Sequence, residues 1–312
     1  MKVFVLYAVE NWITDELAKE WINNNRDIYT NNLDDCDTIW ILSDYIINKI
    51  PYYYLKNRRV ITSIHHITPW KVNKNVKNHF NTLNDITDIF HSICDITTRE
   101  MKKHFTKQIR TLPFCHNEGV WKYLNRKEKL RDKYGFHRGD FLVGSFQKDT
   151  ETASVWNGTF KPKLEKGPDL FVEAVDILKR KHYPNLRVVL TGYYRQYIMK
   201  ELKKREIEYI YFEKINFNKL NELYNTLDLY VVASRVEGGP RAINECSLTR
   251  TPILSTDVGI ASTLLPPSSI FDMDNIESIL DCNTDIDYAY NKAKSLTIKN
   301  WMRTFTNELF KR

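Results

Sequence analysis

The chain has 312 residues, of which 42% are hydrophobic and 27% are charged, values that are ordinary for a folded globular protein. This length allows one large domain or two of moderate size, each with its own hydrophobic core. The formal net charge is +7, but the basic residues are interleaved with Asp and Glu and no recognition motif accompanies them, so nucleic acid is not an expected partner.

The cellular compartment is indicated by the cysteines and by the apolar runs. The five cysteines are scattered without any Cys-x-x-Cys pair, which argues against a disulfide framework and fits a reducing compartment. The apolar run Val3–Val9 is followed at once by Glu10 and is too short for a signal peptide. No apolar stretch approaches the roughly 20 residues that span a bilayer. The sequence therefore predicts a soluble, cytoplasmic protein and leaves peripheral membrane contact open.

In the first part of the chain, short β-branched runs alternate with amphipathic segments of helical length. The predicted strands are Val3–Tyr7, Thr38–Leu42, Val60–Ile64, Ile89–Ile93 and Ile109–Leu112. The predicted helices are Thr14–Asn24, Asn75–Leu83 and Thr98–Phe105. Such alternation is typical of a parallel sheet covered by helices on both faces.

The alternation resumes after a predicted helix that ends at Tyr134. The further strands are Phe141–Ser145, Arg187–Thr191, Tyr209–Phe212, Leu229–Ala233 and Ile253–Ser255. The further helices are Asp169–Lys181, Lys219–Asn225 and Arg241–Leu248. A long polar loop, Lys148–Lys163, interrupts this part of the chain and is a candidate lid.

The glycines indicate a domain boundary, because all ten lie at or after Gly119. We place that boundary near Arg138–Asp140 and predict two αβα sandwiches, residues 1–138 and 139–298. The final segment, Lys299–Arg312, is predicted to be a helix with an apolar stripe that needs a packing partner. The stripe consists of Trp301, Phe305, Leu309 and Phe310.

Several enzyme classes are excluded by missing motifs. There is no G-x-G-x-x-G for a Rossmann dehydrogenase, no P-loop, no G-x-S-x-G and no H-E-x-x-H. Acidic triplets at residues 35–37, 272–274 and 285–287 imitate a D-x-D metal motif. In a chain with 39 acidic residues such triplets arise easily, and none follows an evident nucleotide-binding strand. No metal site is expected.

The clearest chemical signal lies in residues 228–259. A buried strand ends at Ser234, and a loop containing Glu237 follows it. Pro240 is predicted to occupy the first position of a helix, where no N–H is needed.

The start of this helix predicts an anion site. The amides of Arg241 and Ala242 point outward from a helix N-terminus, and Gly238 and Gly239 allow a phosphate to approach closely. Glu237 and Glu245 flank the site.

Because like charges repel, these two carboxylates are not phosphate ligands. They are suited to accept hydrogen bonds from hydroxyl groups, those of a sugar and those of a ribose.

This stretch resembles the retaining GT-B glycosyltransferases of the large family four, which includes many mannosyl- and glucosyltransferases. Their signature is Glu-x7-Glu within S-x-x-E-G-x-x-x-x-x-x-E-A, followed by G-x-P-V-[IVL]-[AS]-T-D-V-G. Residues 234–245 and 250–259 fit most of it. The resemblance implies two Rossmann-like domains facing across a cleft, with a C-terminal helix that returns to the N-terminal, acceptor-side domain.

The resemblance extends along most of the chain. Glu165–Leu170 looks like the family's K-G-x-D-L-L element, whose lysine contacts the donor diphosphate, and this role falls on Lys166. Phe212–Tyr224 looks like the segment whose backbone, here near Ile215, meets the nucleobase.

A histidine is also implied. Val60–His66 resembles V-V-T-x-H-D, whose histidine faces the sugar. Neighbouring side chains of a strand face opposite sides, so one of His65 and His66 is expected to point into the cleft. We expect it to be His65.

Two departures from the family pattern concern ligand contacts. Ser145 stands at the arginine position of the family's G-R-L element, so Ser145 remains a donor-site residue and Lys148 becomes the candidate for the second phosphate cation. Residues 7–12 lack the glycine-rich loop that often follows the first strand.

The resemblance implies transfer of a sugar from a nucleotide-diphosphate donor to an acceptor hydroxyl, with retention and without a metal or cofactor. Glu237 and His65 are the expected catalytic residues, and Glu245 would hold the ribose. The acceptor is left open among glycan, lipid and protein. Two alternatives stand beside this hypothesis: a nucleotide-sugar epimerase of the same fold, and a non-catalytic sugar- or nucleotide-binding module.

Overall fold

A computed structural model describes residues 1–10, 13–154 and 159–311. The chain forms two compact units: Met1–Asn117 together with Leu296–Arg312, and Glu118–Ser295. Each unit contains a parallel sheet with helices between its strands, which confirms the predicted α/β class. Within the described part of the chain, no helix is long and apolar enough to cross a membrane.

The sheet of the first unit has five parallel strands in chain order. They are β1 Val3–Leu6, β2 Thr38–Ile41, β3 Arg59–Ile64, β4 Ile89–Ser92 and β5 Gln108–Thr111. The helices between them are α1 Ile13–Asn24, α2 Tyr52–Asn57, α3 Lys74–Ile86 and α4 Asp95–Met101, with short 3-10 helices at Asp44–Lys49 and Pro69–Lys71. All four residues of β2 are buried, which explains why the apolar residues Ile39, Trp40 and Ile41 follow one another without a polar residue between them.

The second unit is built on a six-stranded sheet. Its strands are β6 Phe141–Ser145, β9 Leu186–Thr191, β10 Tyr209–Phe212, β11 Leu229–Val232, β12 Ile253–Thr256 and β13 Ile270–Phe271. A separate antiparallel hairpin is formed by β7 Thr150–Ser154 and β8 Thr159–Pro162. The helices are α5 Lys127–Tyr134, α6 Pro168–Lys181, α7 Gln196–Lys204, α8 Phe217–Tyr224, α9 Arg241–Thr249, α10 Ala261–Leu264 and α11 Ile286–Ser295, with 3-10 helices at Leu164–Lys166, Pro267–Ser269 and Ile276–Asp281.

The strand order of the second sheet, β10-β9-β6-β11-β12-β13, creates a topological switch point. The chain enters at β6, builds β9 and β10 on one side, and then crosses to β11 on the other side. In open α/β sheets, ligands bind outside the carboxyl ends of the two strands at such a point. The carboxyl ends of β6 and β11 are therefore the place to look for a site.

The last helix, α12 Ile298–Phe310, packs in the first unit, as the family resemblance implied. Its buried Phe305 and Phe310 lie against Trp40, with ring centroids 6.0 and 5.7 Å apart. Arg110 Nη1 donates to the carbonyls of Glu308 and Leu309, both at 2.9 Å, and so caps the C-terminal end of the helix. The predicted apolar stripe thus has its partner in the N-terminal sheet.

The unit boundary differs from the predicted one, because residues 118–138 belong to the second unit. Trp121 packs on Tyr224 with ring centroids 5.9 Å apart. The buried Arg131 donates through Nε to the carbonyl of Thr226 at 3.0 Å and pairs with Asp228. These partners are about 100 residues away in the chain (Arg131 and Thr226 are 95 apart), so the glycine distribution could not reveal them.

Two predicted elements are also corrected. The helix predicted at Thr98–Phe105 runs from Asp95 to Met101, because the Cys94 side chain accepts a hydrogen bond from the Thr97 amide and caps its start. The stretch predicted as a polar loop contains the β7–β8 hairpin, whose residues 155–158 lie outside the described residues. Its role as a lid stays a prediction.

His91 on β4 makes the stability of the first unit depend on pH. The side chain is fully buried, with Nδ1 2.8 Å from Ser63 Oγ and Nε2 2.8 Å from the Leu112 carbonyl. Burial lowers the pKa of His91 from 6.5 to about 4, because the charged ring would lose its hydration. Between these two values the unfolded chain binds a proton that the folded chain does not.

We therefore expect the free energy of unfolding of the first unit to be highest above pH 6.5 and to fall as the pH drops toward 4. The expected loss is roughly 3 kcal/mol, at about 1.4 kcal/mol per pKa unit. Urea denaturation at several pH values would measure it. His91→Gln should flatten this dependence, whereas the exposed His137→Gln should not; equal slopes for the two variants would contradict the assignment.

Candidate functional site

The predicted residues of the second unit collect at the switch point. Ser145 is the last residue of β6, and Ser234 and Glu237 follow β11. Lys166 ends the 3-10 helix that precedes α6.

Lys166 and Glu237 form a close ion pair between Nζ and Oε1. Ser234 Oγ donates to the same carboxylate oxygen at 3.3 Å. The two charged side chains are only 20% and 10% exposed, so their attraction is less screened by water than that of a surface pair. The sequence predicted both residues for the site but not their contact with each other.

The approach of the two loops depends on Gly167. Its φ is +56°, and a Cβ built there would lie 1.7 Å from the Ala233 carbonyl oxygen. The amides of Arg235 and Val236 donate to the Glu165 carbonyl at 2.9 and 3.1 Å. Glycine is therefore required for the turn carrying Lys166 to dock against the end of β11.

Gly259 supports the loop on its other side. Its φ is +58°, and a Cβ there would lie 2.5 Å from the carbonyl oxygen of Gly238. The T-D-V-G segment thus packs directly against the loop Gly238–Pro240, which explains why the two parts of the motif occur together.

Helix α9 begins at Arg241, the first residue of the predicted range Arg241–Leu248. Pro240 has ψ 110° and is the N-cap residue instead of the first helical residue, which corrects that prediction. The amides of Arg241 and Ala242 lie in the first turn and have no intrahelical acceptor, while Ile243 N donates to the Pro240 carbonyl at 3.0 Å. A helix N-terminus with outward amides is therefore present where the sequence predicted an anion site.

Glu245 lies on the second turn of α9 and is buried. Tyr224 Oη donates to its Oε2 at 2.7 Å, and Arg241 Nε approaches Oε1 at 3.4 Å. Burial raises the pKa of Glu245, and Arg241 and Tyr224 oppose that rise by stabilising the carboxylate. Tyr224 was missed by the sequence analysis; the only signal was its place in the segment assigned to the nucleobase.

At the position of the missing family arginine, Ser145 contacts a different arginine. Arg195 is fully buried, and its Nη atoms donate to the Ser145 carbonyl at 2.6 Å and to Ser145 Oγ at 3.0 Å. It also donates to the Thr191 carbonyl at 2.6 Å and pairs with Asp149 through Nε. These acceptors use most of its N–H groups, so Arg195 braces the carboxyl ends of β6 and β9.

Lys148 and Lys163 add positive charge next to Lys166. Lys148 Nζ lies 4.1 Å from the centre of the Tyr194 ring. Lys163 Nζ is 3.8 Å from Glu165 Oε1. Burial lowers the pKa of Lys163, and the positive charges of Lys166 and Lys148 lower it further. Lys163 was missed because it lay in the predicted loop; its Lys-x-x-Lys spacing from Lys166 was the available signal.

Ile215 lies between β10 and α8, at the carboxyl edge of the same sheet. Strand β10 is separated from β6 by β9 alone. Ile215 therefore lies along the same edge of the sheet as Ser145. It is on the side of β6 that faces away from β11.

His65 belongs to the first unit, and it does not lie in a strand as predicted. Strand β3 ends at Ile64, so neither His65 nor His66 lies in the strand and their alternation does not apply. His65 Nε2 donates to the Leu42 carbonyl at 2.8 Å, its ring stacks on Phe114, and burial lowers its pKa. His66 is exposed.

Among the residues that the structure describes, no group of three or more His, Cys, Asp or Glu side chains is placed to hold a metal ion. The three acidic triplets of the sequence therefore do not gather further ligands within that part of the chain.

Residues 148–279 match the family model Glycosyl transferases group 1. Among solved structures, the chain is similar to Anabaena Alr3699/HepE in complex with UDP-glucose, with a TM-score of 0.77, 13% identity and 98% of both chains covered. It is also similar to sucrose-phosphate synthase from Thermosynechococcus elongatus, with a TM-score of 0.70, 12% identity, and 96% of this chain and 79% of that chain covered. No curated protein matches the sequence significantly.

A third similar structure is WaaG, described as a glycosyltransferase involved in lipopolysaccharide biosynthesis, with a TM-score of 0.64, 13% identity and full coverage of both chains. At such low identity these likenesses show the fold. The chain has the GT-B fold, and its residues 148–279 match the model of the group 1 glycosyl transferases.

Proposed function

We propose that this chain transfers a sugar from a nucleotide-diphosphate sugar to an acceptor hydroxyl, with retention at the anomeric carbon and without a metal ion. The observation that supports this most directly is the grouping of the α9 helix start, Lys166 and Glu237 at one switch point. Outward amides and an ammonium suit a diphosphate leaving group, and the adjacent carboxylate suits the hydroxyls of a sugar. The complex of HepE with UDP-glucose supports the same class of donor.

In this proposal the charge that develops on the leaving diphosphate is stabilised by groups already in place. The amides of Arg241 and Ala242 and the ammonium of Lys166 donate to its oxygens. The acceptor hydroxyl attacks from the same face and passes its proton to the departing phosphate oxygen.

Glu237 orients the sugar and Glu245 binds the ribose. His65 is the proposed histidine that faces the sugar; because its Nε2 donates to Leu42, Nδ1 is the ring nitrogen that remains for this contact.

Incubation of the protein with single nucleotide sugars tests the proposal. We expect slow release of nucleotide diphosphate. NMR of the anomeric proton of the product should then show that hydrolysis or transfer occurs with retention. Formation of an epimerised nucleotide sugar would favour the epimerase alternative instead. Binding of nucleotide sugars without any turnover, even with added acceptors, would leave only the non-catalytic module and would overturn the transferase.

Turnover is expected to survive EDTA. The proposed site supplies a helix terminus and lysines where other enzymes place a divalent cation, so chelation should change kcat less than about twofold. Initial rates with 10 mM EDTA, and with added Mg²⁺ or Mn²⁺ as the control, measure this. Strict dependence on either cation would contradict the proposed leaving-group chemistry.

A further inference from the structure

A cavity of about 800 Å³ lies at the amino ends of the strands of the first unit. Four residues that line it are the first residues of β2, β3, β4 and β5: Thr38, Arg59, Ile89 and Gln108. Further walls come from the ends of α2 and α12. Open α/β sheets bind their usual ligands at the carboxyl edge, which is the opposite edge. The cavity therefore belongs neither to that edge nor to the candidate site of the second unit.

The lining of this cavity is strongly basic. It contains five basic side chains, which are Lys56, Arg58, Arg59, Arg110 and Lys311. It contains two acidic side chains, and each is already bound to a backbone amide. Asp37 Oδ2 accepts from the Lys2 amide at 2.7 Å, and Asp88 Oδ2 accepts from the Val60 amide at 2.8 Å. The excess of positive charge favours an anionic ligand.

Two of the arginines hold the end of α12 in the first unit. Arg59 Nη1 donates to the Phe310 carbonyl at 2.8 Å, and Arg110 Nη1 donates to the Lys311 carbonyl at 2.9 Å. A guanidinium group carries five N–H donors, so this role uses only part of what Arg110 offers. Within the described part of the chain, Arg110 Nε is buried and has no hydrogen-bond partner, and the same is true of Arg58 Nε.

These buried donors are unfavourable for the protein by itself. Arg110 is only 9% exposed, and an unpartnered buried N–H costs free energy because it has lost its bond to water. Burial lowers the pKa of Arg110 and the charge of Arg59 lowers it further, while Glu308 acts in the opposite direction. An anion in the cavity would offset both the missing bonds and the repulsion between the guanidinium groups.

The lining also indicates the class of anion. The planar guanidinium fork matches the oxygen spacing of a phosphate group. The volume is within the usual range of small-molecule sites, roughly 300–1,000 Å³, and exceeds what a single phosphate ion fills. Among the described residues that line the cavity, Met1 and Ile89 alone are apolar, so there is little surface for a nucleobase or an acyl chain. A hydrophilic ligand with several phosphate groups fits these properties.

We infer that this cavity binds a ligand that carries two or more phosphate groups, with Arg58, Arg59 and Arg110 as guanidinium donors. The phosphates belong either to a soluble molecule or to a phosphorylated lipid headgroup, and the chemistry of recognition is the same for both. The inference does not depend on the proposed transferase activity, because none of these residues belongs to the donor site.

Isothermal titration calorimetry of the full chain with sodium tripolyphosphate tests the inference. We expect saturable binding that Arg58→Gln weakens about tenfold, because a charge-assisted contact is lost. Lys56→Gln should weaken it by a smaller factor, and since Lys56 is exposed, this variant decides the question if Arg58→Gln does not fold. The matched control is Arg99→Gln, which removes one charge from the exposed side of α4 and should bind like the wild type.

Sedimentation with vesicles of phosphatidylcholine and phosphatidylinositol bisphosphate identifies the source of the phosphates. Co-sedimentation that Arg58→Gln abolishes would assign a lipid headgroup, and tripolyphosphate binding without co-sedimentation would assign a soluble ligand. Failure of the wild type to bind tripolyphosphate, or equal binding by Arg58→Gln and Arg99→Gln, would overturn the inference. Binding that is lost in Lys166→Ala and kept in Arg58→Gln would belong to the donor site and would also overturn it.

Discussion

Replacing Lys166 with Ala is expected to lower kcat/KM for the nucleotide-sugar donor roughly 30- to 1,000-fold. This corresponds to about 2–4 kcal/mol for a charge-assisted contact that strengthens as charge develops on the leaving diphosphate. The protein should still fold, because the turn is held by the backbone bonds of Glu165 and by Gly167. Steady-state kinetics with circular dichroism would measure both effects.

The control for this variant is Lys161→Ala, which removes an exposed lysine of β8 that pairs with Glu151 at the surface. Because Lys166→Ala also leaves Glu237 without its cation, the double variant Lys166→Ala/Glu237→Gln separates the two losses. Near-normal turnover of Lys166→Ala would show that the phosphate site is misplaced. Lys163→Ala, Lys148→Ala and Arg241→Ala would then identify the cation that binds the diphosphate.

The two glutamates are expected to differ in the kinetic constant that they change. Glu237 contacts the sugar in the proposal, where geometry and charge change most, so Glu237→Gln should mainly lower kcat, by roughly 100-fold. Glu245 contacts the ribose, which changes little during the reaction, so Glu245→Gln should mainly raise the donor KM, by roughly 10-fold. Both constants would be measured with saturating acceptor.

The structure supplies a further check on Glu245. Tyr224 Oη donates to its carboxylate, so Tyr224→Phe should raise the donor KM in the same direction and by a smaller factor. Glu201→Gln is the matched control, since Glu201 lies on α7 and pairs with Lys204 and Arg205 at the surface. If Glu237→Gln and Glu245→Gln give the same profile, or if Glu245→Gln changes kcat alone, the assigned roles are wrong.

Most strands of the two parallel sheets and the spacing of the motif could be predicted from local sequence, whereas the β7–β8 hairpin, β13 and the helices α2, α7, α10 and α11 were not predicted. The strands β6 and β10 have the predicted bounds, and the other long strands differ by one or two residues, because β-branched runs and turn residues act locally. Glu237 and Glu245 could be placed on a loop and a helix because eight residues of chain, with Pro240 between them, allow little else. Pro240 itself was misplaced by one position, since cap geometry depends on its ψ angle and not on its residue type alone.

Contacts between distant parts of the chain were decided only by the tertiary structure. Lys166 meets Glu237 across 71 residues, and Arg195 reaches Ser145 across 50. Residues 118–138 join the second unit through partners such as Asn225, whose side chain accepts from the Leu124 amide 101 residues away. Hydrophobic periodicity and propensity describe neighbours within a few turns and carry no information on which loops meet. Those partners depend on how the strands and helices pack in three dimensions. The same packing decides which charged side chains surround the candidate site.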